Sequence, residues 1–106
     1  MRIEYNKLIR DRIPSQIKGK YSVRTLTEQD YKESLDVKLR EEINEYLESG
    51  EIEELVDIYE VILAIVKSKH VDIHEFNRQR ELKLIEKGDF SERLFLEWVE
   101  PMENGE

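Results

Sequence analysis

Apolar positions change their spacing in step with the breaks along the chain. From Tyr31 onward, Tyr31, Leu35, Leu39, Ile43, Tyr46 and Leu47 recur every three or four residues, as on one face of an α-helix. Thr27 with Asp30 offers a capping-box-like start, and the pattern predicts a helix running to about Ser49. Gly50 interrupts it. A second helix is expected to about Lys69, with a main apolar face of Ile52, Leu55, Val56, Tyr59, Ile62, Leu63 and Val66. Asp72 and Glu75 open a third, which ends before Gly88, a residue suited to the left-handed position just past a helix. Two other segments alternate instead. "YSVRTLT" (Tyr21 to Thr27) and "RLFLEWV" (Arg93 to Val99) predict short strands that pair as a small sheet, with Trp98 anchoring the second. The N-terminal arm ends near Pro14, "KGK" at Lys18 to Lys20 reads as a turn, and the tail "PMENGE" reads as frayed. The expectation is a single, mainly α domain over residues 1–106: a helical hairpin, a third helix and a small amount of β from the N-terminal region and the C-terminus.

Sorting the polar positions around the same helices separates two kinds of acid. At ~100° per residue, Glu42 falls inside the apolar face of the first helix and Glu45 at its margin near Lys38, while Glu41 and Glu48 turn to solvent. On the second helix Glu53, Glu60 and Lys67 share one narrow polar strip. Glu54 and Asp57 lie instead among Val61, Ala64 and Ile65, so this helix is apolar on two sides and carries two carboxylates on its second side. A break as short as Ser49–Gly50 predicts an antiparallel hairpin. Glu45 then faces Glu54, Glu42 faces Asp57, and four carboxylates converge within about one turn of height. An ionised carboxylate on a core-facing stripe is costly unless it is paired or bound to a metal. Two readings stand side by side at this point: an ordinary solvated acidic face, or a cation site whose hard oxygen donors suit Mg²⁺, with Mn²⁺ as the alternative.

Charge strengthens the contrast. Charged residues are 40% of the chain and the formal net charge is −8, against a charged fraction of about 25% in an ordinary soluble domain. Between Asp36 and Glu60 there are ten acidic and two basic residues, so this segment supplies the whole imbalance. An acidic chain with no basic stripe argues against a nucleic-acid polymer as partner. There is no cysteine, which excludes disulfides, thiolate nucleophiles and cysteine-based zinc sites and fits a cytoplasmic location. The longest apolar run, Val61 to Val66, is far short of a membrane span, and no signal peptide is visible. His70 and His74 are four residues apart, but His70 sits at the expected helix break, so the spacing reads as accidental.

"EEINE" (Glu41 to Glu45) followed by "ELVD" (Glu54 to Asp57) resembles the EExxE…ExxD signature of MazG-like, all-α nucleoside triphosphate pyrophosphohydrolases. "YNKLIRDRIP" (Tyr5 to Pro14) resembles the opening of the phosphoribosyl-ATP pyrophosphohydrolase-like branch of that superfamily, and "RELKLIEKGDF" (Arg80 to Phe90) its closing motif. The likeness runs from Tyr5 to about Leu96. It implies a Mg²⁺-dependent hydrolase acting on a phosphoric anhydride bond, which cleaves a nucleoside triphosphate to the monophosphate and pyrophosphate in a house-cleaning role. It further implies Glu42, Glu45, Glu54 and Asp57 as metal ligands, Glu41, Glu42 and Glu45 as catalytic carboxylates, and Lys7, Arg10, Arg80 and Lys83 as phosphate contacts. Taken alone, Lys7 and Arg10 are equally explained as surface charges on a short helical turn. One departure is visible: Asp89 stands where the family usually has the second glycine of a Gly-Gly-Phe.

The doubly apolar second helix predicts a homodimer or higher assembly, and the family's four-helix arrangements built from two chains agree with it. Two rival readings remain, a non-catalytic helical interaction module and a nucleotide sensor of the same fold. The first predicts salt bridges at Glu42, Glu45, Glu54 and Asp57 in place of a bound cation.

Overall fold

The computed structural model describes residues 1–102; the end of the tail expected to fray lies outside the described residues. The chain divides into two compact units, Met1–Phe76 and the segment from Asn77 onward. Its helices are α1 (Glu28–Ser49), α2 (Ile52–Ser68) and α3 (Ile73–Lys87), preceded by a single 3₁₀ turn at Pro14–Gln16. Among the described residues, no helix is long and apolar enough to cross a membrane.

The first unit is a helical hairpin with an irregular N-terminal arm. Thr27, in extended backbone, begins α1 by accepting a hydrogen bond from the Asp30 N–H at 3.2 Å, which satisfies one of the donors a helix start leaves unpaired. Gly50 ends α1 in the left-handed region at φ +68°, and its N–H donates to the Tyr46 carbonyl at 2.7 Å. That conformation costs a side-chain-bearing residue more than glycine, which is why the turn sits there. With so short a break α2 folds back antiparallel on α1. One cavity is lined by Tyr31 and Lys32 of α1 and by Lys67 and Ser68 of α2, which marks the pairing at the far end of the hairpin.

Little of this hairpin is deeply buried. Leu35 (2% exposed) and Val66 (8%) form the apolar core, and Glu42 (6%) is the one buried charged residue among the described residues. The face of α2 turned toward α1 is its second side: Glu54, Asp57, Ile58, Val61, Ala64 and Ile65 are all half-buried. Its main apolar stripe is covered in part: Val66 is buried and Ile62 and Leu63 are half-buried, while Ile52, Val56 and Tyr59 are exposed by 72%, 60% and 54%. The expected burial on both sides is therefore met on the main face at its Val66 end and not at its Ile52–Tyr59 end.

Both expected strands are absent, and no strand occurs among the described residues. Alternating β-branched residues carry a preference, but a strand also needs a ladder partner for its N–H and C=O groups and a surface that buries one face. Tyr21 and Val23 remain exposed, as do Leu94, Phe95, Leu96 and Val99. Trp98 is 72% exposed and anchors nothing. In the second unit, the end of α3 closes on Gly88 at φ +80°, whose N–H donates to the Leu84 carbonyl at 2.8 Å.

Candidate metal centre

Glu42, buried on α1, meets Glu54 and Asp57 of α2 near the Gly50 end of the hairpin. Each offers one carboxylate oxygen, and the three oxygens lie within 4.8 Å of one another. Glu54 and Asp57 are three residues apart, so helical geometry stacks them on one side of α2. Glu45 is exposed and outside this group. Its carboxylate nevertheless lies beside that of Glu42: burial pushes the Glu42 carboxyl above its ordinary range, and Glu45 adds to the rise.

Three cations surround the acids. Lys38 reaches Glu41 and, at 3.2 Å, Glu42, one helical turn along its own helix. Desolvation opposes its charge, but the two carboxylates outweigh it and hold the ammonium above its usual pKa. Lys38 donating to Glu41 in turn holds that carboxyl below its ordinary value, with Lys7 assisting from 3.8 Å. Arg10 crosses from the N-terminal arm to α2: its Nη2 donates to Asp57 Oδ1 at 2.7 Å, and its Nη1 lies 3.9 Å from Glu60.

One atom is left over. Glu42 Oε2 is buried and has no hydrogen-bond partner. That oxygen belongs to a group of three converging acids that could hold a cation, and a buried polar atom without a partner is costly. The donor set is all hard oxygen with no sulfur or imidazole, which fits Mg²⁺ or Mn²⁺ rather than zinc or copper.

Of the residues singled out in the sequence, Glu42, Glu54 and Asp57 come together, with Glu45 at the rim and Glu41 one step outside, tied to Lys38 and Lys7. Arg10 and Lys7 lie against the acids rather than apart from them. Arg80 and Lys83 lie on the part of α3 that belongs to the second unit, and both are exposed. Asp89 turns its carboxylate back on Ser91, accepting from the Ser91 N–H at 3.0 Å and from its hydroxyl, and the backbone bond holds it below its ordinary range. His70 has left the helix at φ +60° and lies 3.7 Å from Glu28, so it forms no pair with His74. Two residues were underrated in the sequence. Lys38 stands three and four residues before Glu41 and Glu42, a spacing that predicts both ion pairs. Glu60, read as a plain solvent-facing acid, takes part in holding Arg10. No family model, curated relative or solved structure matches the chain.

Proposed function

We propose that the chain is a Mg²⁺-dependent nucleoside triphosphate pyrophosphohydrolase that acts as a homodimer in the cytoplasm. The observation that carries the metal reading is the orphaned, buried Glu42 Oε2 within the Glu42–Glu54–Asp57 group. Glu42, Glu54 and Asp57 would hold the ion, with Glu45 able to join from the rim. When bound, Mg²⁺ supplies charge neutralisation for phosphate oxygens and acidifies water.

The chain's own residues account for the remaining steps. Glu45, with no ion-pair partner among the described residues, accepts the proton of the water whose oxygen attacks the α-phosphorus. The bond from the α-phosphorus to the α,β-bridging oxygen breaks, and pyrophosphate leaves with its electron pair. Lys7 and Arg10 offer positive charge to the leaving group as its own charge develops. Glu41, held ionised by Lys38 and Lys7, positions those two ammonium groups rather than moving a proton. Release of pyrophosphate from a panel of canonical, deoxy and modified nucleoside triphosphates with Mg²⁺ tests the reading. No turnover at micromolar enzyme refutes it.

The dimer reading is supported by apolar surface on α2 that α1 leaves uncovered. The exposed stripe Ile52–Val56–Tyr59 is the apolar surface on which a second copy fits best, because a two-fold interface lets the same stripe cover itself.

A second reading has its own support. Lys38 and Arg10 pair with two of the acids, as a purely structural hairpin would arrange. A thermal shift on adding Mg²⁺ that vanishes in Glu54→Gln decides for the metal site; no shift decides for the interaction module.

A further inference from the structure

The Arg10 contact has a consequence for the same site. Tyr5 to Ile13 form a strap without helix or strand, tied to the hairpin at two charged points. Lys7 reaches Glu41 of α1 at 3.8 Å, and Arg10 reaches Asp57 of α2 at 2.7 Å across 47 residues of sequence. Packing beneath the strap is incomplete. A pocket of about 150 Å³ is lined by Asn6, Lys7 and Leu8 of the strap and by Val37, Lys38 and Glu41 of α1. Leu8 and Ile9 are only half-buried, while Tyr5 and Asn6 are exposed. Two partly exposed ion pairs and the half-buried Leu8 and Ile9 are thus what tie this segment to the hairpin.

Asp57 belongs to both arrangements. Its carboxylate receives the strongest tether of the strap, and it is also one of the three acids that converge with the orphaned Glu42 oxygen. We infer that the strap is an electrostatic gate on the carboxylate group, in which Arg10 and a divalent cation compete for Asp57. The inference rests on the cation reading of that group. A guanidinium hydrogen-bonded to Asp57 sits within about 6 Å of a dication bound by the same carboxylate, and one charge against two at that distance costs roughly a tenfold in affinity even at the dielectric of water. Linkage makes the effect reciprocal: whatever Arg10 takes from cation affinity, a bound cation takes from the strap. Loading the site thus loosens Tyr5 to Ile13 and releases the Arg10 fork, whose planar donors suit a phosphate oxygen pair. Lys38 does not share this role, since it lies along α1 itself and pairs with Glu41 as well as Glu42.

The test is a Mn²⁺ titration followed by electron paramagnetic resonance on the full chain, with Arg10→Gln, Arg10→Lys and Glu54→Gln. The gate predicts that Arg10→Gln binds Mn²⁺ about tenfold more tightly than wild type, that Arg10→Lys stays within about threefold of it because the charge is kept, and that Glu54→Gln loses binding. In the wild type, tryptic cleavage within Tyr5 to Ile13, mapped by mass spectrometry, speeds up severalfold on adding Mg²⁺. In Arg10→Gln it is already fast and does not change. Equal or weaker binding by Arg10→Gln, with Glu54→Gln still losing the ion, overturns the gate and leaves the cation site standing. Absence of Mn²⁺ binding in both wild type and Arg10→Gln overturns both.

Discussion

Replacing Glu42 by methionine inverts the order of stability between cation-free and cation-loaded protein. In the wild type the Glu42 side chain is buried, with Lys38 3.2 Å from one oxygen and nothing on the other. A buried, unsatisfied polar atom costs about 1–3 kcal/mol, and a partly exposed ion pair returns about 1 kcal/mol or less. Methionine has similar length, fills the space without a polar atom, and leaves Lys38 its bond to Glu41. Glu42→Met should therefore be about 1 kcal/mol more stable than wild type at pH 7 in EDTA, a rise in Tm of roughly 4–8 °C for a small domain. With Mg²⁺ at a hundred times Kd, the wild type gains about 2.7 kcal/mol and the variant, lacking a ligand, gains little, so the wild type becomes the more stable. The pH dependence has a definite sign. Burial raises the folded pKa of Glu42 above its unfolded value near 4.5, so the native state holds that proton more tightly than the unfolded state does. Wild-type stability in EDTA is lost as pH rises from about 4.5 through the raised folded value, and the gap to Glu42→Met closes again below about 4.5. Thermal melts by far-UV circular dichroism, with EDTA or titrated Mg²⁺ at several pH values, measure all of this. A variant less stable than wild type in EDTA, with the same Mg²⁺ response, would refute the reasoning.

Two further outcomes are expected. Leu35→Ala, at the most buried apolar position of the hairpin, should cost about 2–5 kcal/mol in urea denaturation; a cost below about 1 kcal/mol would place the core elsewhere. Val56→Glu, in the exposed stripe of α2, should convert a dimer to a monomer in sedimentation velocity, and a wild type that sediments as a monomer would remove the dimer from the account.

The helices were legible because each carries its own signals. Thr27, Gly50 and Gly88 mark the ends, and the spacing from Tyr31 to Leu47 sets the phase of α1. Phase also placed Glu42, Glu54 and Asp57 together, since a two-residue turn leaves the hairpin little choice of register. Glu45 came out less well: at the margin of the face, a small rotation of the helix moves its side chain from the group to the rim. The strands were misread because the alternation in Tyr21 to Thr27 and Arg93 to Val99 reports preference, while a ladder is a tertiary fact. The main face of α2 was read as buried with a second copy covering part of it, and this chain by itself leaves Ile52, Val56 and Tyr59 exposed. An apolar stripe states that something covers it, not whether that cover comes from the same chain. The Arg10–Asp57 pair joins residues 47 apart, and no local spacing rule reaches that far.

The proposed reaction is hydrolysis between the α and β phosphates, dependent on the Glu42–Glu54–Asp57 group. Its most direct test follows a nucleoside triphosphate with Mg²⁺ in ¹⁸O-labelled water by ³¹P NMR, comparing wild type with Glu54→Gln. Attack of water on the α-phosphorus gives equal amounts of monophosphate and pyrophosphate, with label on the monophosphate alone, and the reaction is lost in the variant. Diphosphate with inorganic phosphate, label on pyrophosphate, or undiminished turnover by Glu54→Gln would contradict it.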